Sequence, residues 1–158
     1  MSLPARILEA CRAKAVMVTC AESCTGGMVA AALTDLPGSS EALERGFVTY
    51  SNEAKIEMLG VSAETLAAVG AVSEEVAVEM AKGALAQSRA QVAVSITGIA
   101  GPGGSEHKPE GRVCFAIATK AGVAVETLEF GAIGRQEVRT AARDHALALL
   151  SGALDKLP

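Results

Sequence analysis

Ser23 lies in the run Ala21-Glu-Ser-Cys-Thr-Gly-Gly27, between a β-forming stretch and a helix pattern. A hydroxyl at such a turn can act as a nucleophile if a base lies within reach. Gly26 and Gly27 permit close approach of a ligand, and free backbone amides there can hold an anion or an oxyanion. The same turn also reads as a plain helix cap through Ser23 or Thr25. Cys24 is a rival nucleophile, although cysteine more commonly serves as a small buried apolar residue. The base is harder to find. The two histidines are His107, in the segment SEHKPEG, and His145, on the apolar face of the last helix pattern. Lys55 is the better candidate, because it follows a strand end and could reach the same edge. It must be neutral to serve, which requires burial or a neighbouring cation. Tyr50, the only tyrosine, could relay or orient that proton. The alternative for Lys55 is a solvated helix lysine paired with Glu53 or Glu57.

Two further segments carry polar chemistry. The loop Thr97-Gly-Ile-Ala-Gly-Pro-Gly-Gly104 resembles a phosphate cradle without matching GxxxxGK[ST] or GxGxxG, and turn chemistry explains its glycines equally well. Arg135 and Arg139 share a helix face at i, i+4 and could clamp a phosphate or carboxylate, or form a solvated face with Glu137 and Asp144.

Composition narrows the function. Eighteen acids against fourteen Lys and Arg give a net charge of −4, which argues against a general polyanion binder. The four aromatics, Phe47, Tyr50, Phe115 and Phe130, are too few for a base-stacking platform, so no nucleic-acid partner is expected. No apolar run approaches the ~18 residues of a membrane helix, and the charged N-terminus does not read as a signal peptide. A cytoplasmic protein without a membrane partner is expected. Cys11, Cys20, Cys24 and Cys114 are unevenly spaced, and no histidine has a ligand partner at metal-binding spacing, so neither disulfides nor a metal site is expected.

The elements that must position these residues follow from periodicity and punctuation. Helices are expected over 4–14, 28–36, 52–59, from Ser62 to about 68, 73–88 and 134–154. Strands are expected over 15–20, 46–50 and 91–96, with a hairpin of 113–119 and 123–130. Strands separated by helices favour βαβ units, while the hairpin adds antiparallel pairing. The expected fold is one α/β domain over 1–158, a three-layer α/β/α sandwich with a mixed, mostly parallel sheet of about five strands. Ligands bind beyond the carboxyl ends of parallel strands, so loops 21–27, 50–55 and 97–104 should converge on one site.

Taken together, AESCTGG, ERGFVTYSNEAK, GAVSEEV, SITGIAGPGGSEHKPEG and GRQEVR, in this order, closely resemble the CinA C-terminal domain family of nicotinamide-nucleotide amidohydrolases. The resemblance covers essentially the whole chain and implies an α/β/α sandwich with a mixed sheet. It implies hydrolysis of the carboxamide of nicotinamide mononucleotide to nicotinate mononucleotide and ammonia, in pyridine nucleotide recycling. It makes Ser23 the nucleophile and Lys55 the base with Tyr50 beside it, and it implies no metal and no other cofactor. The substrate would meet Cys24, Thr25, Gly26 and Gly27 on one side and Thr97, Gly98, Gly101, Gly103 and Gly104 on the other. Arg135 and Arg139 would neutralise its 5′-phosphate. A non-catalytic nucleotide-binding or regulatory module is the alternative. The glycine loop has one residue fewer before its SE-x-KP segment than the family often carries. A stand-alone form is expected, and the alanine-rich surface suggests a homo-oligomer.

Overall fold

The computed structural model describes residues Met1–Pro158. Ser2 opens α1 (Leu3–Lys14), its hydroxyl accepting from the Ala5 amide, with Pro4 in the first turn where no amide hydrogen is needed. The helix ends at Ala15, which turns into the left-handed region at φ 54° and returns its amide to the Cys11 carbonyl. This exit displaces β1 to Val18–Glu22 from the expected 15–20, so Ala21 and Glu22 belong to the strand and not to the loop. After α2 (Met28–Thr34) and a 3₁₀ turn at Ser39–Glu41, β2 spans Leu43–Val48, again shifted from the expected 46–50. The strand stops at Val48 because the next two carbonyls, of Thr49 and Tyr50, turn to Lys55 instead of extending the strand. The chain continues through α3 (Asn52–Leu59), α4 (Ala63–Val69), α5 (Glu74–Ala86), β3 (Val92–Gly98), β4 (Arg112–Thr119), β5 (Gly122–Glu129) and α6 (Arg135–Lys156).

The sheet order is β2-β1-β3-β4-β5. β1 pairs in parallel with β2 and β3, whereas β3-β4 and β4-β5 are antiparallel, so β4 alone opposes the other four strands. Alternation along the strands sorts two helical layers. Val92, Val94, Ile96, Val113 and Phe115 face α1, α2 and α6, where Ile7, Val29, Val138 and Leu150 complete one core. Ala93, Ala116 and Ala118 face the other way, and their small side chains seat α5 through Val76, Ala77, Met80 and Ala84. This is the expected three-layer α/β/α sandwich. Gly83 brings α3 against α5: a Cβ there would overlap the Leu59 carbonyl. No helix is long and apolar enough to cross a membrane.

Register brings the three loops together. Glu22 lies opposite Val48 on one side and Ile96 on the other, so the residues that follow them, Ser23, Thr49 and Thr97, lie together at one sheet edge. That is the edge the parallel-strand rule selects for a ligand.

Candidate active site

Lys55 is carried by the first turn of α3, which Ser51 caps through the Ala54 amide. Its side chain points into the protein, is 1% exposed, and makes no pair with Glu53 or Glu57. Nζ lies 3.1 Å from Ser23 Oγ, 2.9 Å from the Thr49 carbonyl oxygen and 3.3 Å from that of Tyr50. Burial lowers the lysine pKa from its ordinary 10.5, while the neighbouring Cys24 and Glu106 act in the opposite direction. A neutral amine has two N–H donors and one lone pair. Nζ donates to the two carbonyls and to the Ser23 hydroxyl oxygen, and once it loses a proton the two remaining N–H groups suffice for the carbonyls and leave a lone pair for the serine.

The turn after Ser23 is organised by a residue that sequence reasoning passed over. Glu22 is fully buried, and its carboxylate accepts from the amides of Gly27 at 3.2 Å, Val29 at 3.0 Å and Ala30 at 3.1 Å. It thereby caps α2, whose Gly27 N-cap has no side-chain cap of its own. Neither Ser23 nor Thr25 plays that part. Glu22 takes the helix amides, whereas the Cys24 and Thr25 amides that follow the serine have no backbone acceptor. A lone acid in an apolar strand, a few residues before a helix start, was the available signal. Burial pushes the Cys24 thiol up to about 11, which disfavours the thiolate that a cysteine nucleophile needs.

A cleft of about 450 Å³ opens beside Ser23 and Lys55. Of the expected substrate-binding residues, Cys24, Thr97, Gly98, Gly101, Gly103, Gly104 and Arg135 line it, with Tyr50. Thr25, Gly26, Gly27 and Arg139 do not. Thr25 is fully buried, and the two glycines turn the chain away into α2 at φ 56° and 106°. Arg139 is turned to the backbone of the serine loop, donating to the Cys24 carbonyl at 3.0 Å and the Thr25 carbonyl at 3.5 Å. The two arginines therefore do not form one clamp. Arg135 donates to the Gly101 carbonyl at 2.7 Å and to the Tyr50 hydroxyl at 3.0 Å, joining the α6 start to two of the three loops. The Tyr50 phenol is thus engaged with Arg135 and makes no hydrogen bond to Ser23 or Lys55. Only its carbonyl meets the lysine. Thr97 donates its hydroxyl to the Ala71 carbonyl at 2.8 Å. Asn52, Ser105 and Glu106 also line the cleft and were not anticipated. His145 lies on α6, pairs with Glu126 and contacts the Phe115 ring edge-on, outside this cleft.

Comparison with known proteins identifies the family. The CinA C-terminal domain model matches residues 1–154. The nicotinamide-nucleotide amidohydrolase PncC of Escherichia coli K12 is 56% identical over 151 residues, covering 95% of this chain and 92% of that protein. A CinA-like protein of Chloroherpeton thalassium is 56% identical over 122 residues, which are 77% of this chain and 29% of that longer protein. Among solved structures, the competence/damage inducible protein of Agrobacterium tumefaciens superposes with a TM-score of 0.93 at 50% identity, covering 98% of this chain and 94% of that one. The competence damage-inducible protein A of Klebsiella pneumoniae gives 0.93 at 39% identity, over 99% and 97% of the two chains. The matches span both core layers and the three converging loops alike, and the chain belongs to the CinA C-terminal domain family.

Proposed function

We propose that the protein hydrolyses the carboxamide of nicotinamide mononucleotide to nicotinate mononucleotide and ammonia, with Ser23 as nucleophile and Lys55 as its base. One observation carries the mechanism: a buried lysine nitrogen 3.1 Å from the serine oxygen, its other partners two carbonyls that accept but cannot donate. The PncC name borne by relatives at 56% identity supports the substrate.

The steps follow from that geometry. Neutral Lys55 takes the Ser23 proton as Oγ attacks the carboxamide carbon. Negative charge develops on the carbonyl oxygen, and the backbone amide of Cys24, which lines the cleft beside Ser23 and has no backbone acceptor, is the donor available to it. Such donors are typically worth about 10²–10³ in rate each. The proton gained by Lys55 occupies the vertex facing Oγ, since the carbonyls hold its other two hydrogens. It passes from there to the departing nitrogen as the C–N bond breaks and ammonia leaves. Water then attacks the acyl-serine, gives its proton to the same lysine, and releases the carboxylate product while Oγ regains a proton. Arg135 retains N–H groups beyond its two protein contacts, and these suit the 5′-phosphate.

Ammonia release from nicotinamide mononucleotide tests the proposal, with Ser23→Ala and Lys55→Ala assayed alongside. Turnover is expected in the wild type and a loss of at least about 10²-fold in each variant. Nucleotide binding without ammonia release by the folded wild type would replace the enzyme with a binding module. Full turnover by Ser23→Ala would remove the serine from the mechanism.

A further inference from the structure

Glu106 has a backbone conformation and a set of contacts that the proposed chemistry leaves unused. Ser105 and Lys108 exchange both backbone hydrogen bonds, so Glu106 and His107 are the two central residues of a tight turn. Both have positive φ, 54° and 62°. Such a turn favours Asn-Gly, and a Glu-His pair there is held only if surrounding contacts compensate. The compensation comes from the segment joining α4 to α5. The Glu106 carboxylate accepts from the Ala71 amide at 3.2 Å and, more weakly, from the Val72 amide at 3.5 Å, in space that a side chain at Gly70 would fill. Lys108 donates to the Val69 and Val72 carbonyls of the same segment, 4.0 Å from the Glu106 carboxylate.

The result is a carboxylate fixed in the wall of the cleft. Glu106 is the one acidic residue among those lining it. It forms no ion pair with Arg135, which is anchored at Tyr50 and Gly101, so the cleft carries a cation and an anion held apart. Lys108 does not line the cleft; it gives two of its protons to the Val69 and Val72 carbonyls and pairs loosely with the carboxylate, at 4.0 Å. Both Glu106 and Lys55 line the cleft, and the carboxylate opposes the lowering of the Lys55 pKa by burial.

A nicotinamide mononucleotide has the complementary pattern, an anionic phosphate at one end and a permanently cationic pyridinium ring at the other. Resting on the function proposed above, we propose that Glu106 is a specificity-determining residue that reads the positive charge of the substrate's pyridinium ring. Partnered with Arg135 at the phosphate, it selects an oxidised, zwitterionic nicotinamide nucleotide over the reduced form, whose dihydropyridine ring is uncharged, and over nucleotides of neutral bases.

The test separates charge from shape. Glu106→Gln keeps the side-chain length and an oxygen for the Ala71 amide, and its melting temperature checks that the turn is retained. Dissociation constants of oxidised and reduced nicotinamide mononucleotide are measured calorimetrically on Ser23→Ala protein, with and without Glu106→Gln, so that turnover does not intervene. The added Gln is expected to weaken the oxidised ligand by about five- to tenfold, as a partly screened charge contact would, and to leave the reduced ligand within about twofold. Glu106→Asp, which keeps the charge on a shorter arm, should fall between. Equal weakening of both ligands would make Glu106 a purely structural latch, and no weakening of either would remove it from recognition. Both outcomes overturn the inference while ammonia release by the wild type still stands, whereas absence of that release overturns the function itself.

Discussion

At the scale of single residues the proposed chemistry turns on which way the surroundings of Lys55 bias its proton. Lys55 is enclosed by two carbonyl oxygens and a hydroxyl, and burial is the largest influence on its titration, drawing the pKa below 10.5. Two titratable neighbours act the other way and favour the ammonium: Cys24, whose own thiol burial pushes up to about 11, and Glu106. Because the folded protein disfavours the charged form, the base form is present at lower pH than in a free lysine. The profile of kcat/KM is therefore expected to rise with pH as Lys55 loses its proton and to level once it is neutral, with the midpoint of the rise below 10.5. Lys55→Arg, which keeps a cation but cannot deprotonate, should lose the limb together with about 10²–10⁴ of the rate. A rise centred at or above 10.5 would show that burial does not activate the lysine.

At the scale of elements, α3 matters because it carries Lys55, and its height above the sheet is set by a glycine on another helix. Gly83 of α5 leaves room for the Leu59 carbonyl at the end of α3. Gly83→Ala should force the helices apart, destabilising the fold by about 1–3 kcal/mol and lowering kcat as Lys55 moves away from Ser23. Gly152 lies inside α6 with nothing within 4 Å of the added atom, so Gly152→Ala should be neutral or stabilise by up to about 1 kcal/mol. Urea unfolding and turnover of the two variants, measured together, separate crowding from helix propensity. The meeting of Ser23 with Lys55 was legible in the sequence, since parallel strands deliver their following loops to one edge whatever the side chains do. The roles of Thr25, Gly26, Gly27 and Arg139 were not, because they depend on Glu22 turning its carboxylate onto the α2 amides. Strand boundaries slipped for equally local reasons, at the left-handed Ala15 and at the carbonyls that Lys55 draws from β2. Glu106 was invisible, because its partners Ala71 and Val72 are 35 and 34 positions away.

At the scale of the whole molecule, chemistry and cohesion occupy different ends of the same elements. α6 begins at Arg135 in the cleft, anchors the serine loop one turn later through Arg139, and then runs down the sheet as a packing helix. Its fully buried Leu150 lies fifteen residues beyond Arg135, about 22 Å along the axis at 1.5 Å per residue. There it joins a core with Ile7, Val18 and Val92, near the ends of β1 and β3 opposite to those carrying Ser23 and Thr97. Leu150→Ala should therefore cost about 2–5 kcal/mol of stability, the range for deleting a buried leucine side chain. Turnover per folded molecule should stay unchanged, because nothing within reach of the cleft has moved. Urea midpoints and kcat under conditions where the variant remains folded would check both halves. A parallel loss of kcat would mean that packing strain travels the length of α6 to the cleft, and the scaffold could then no longer be treated as a passive support for the serine and lysine.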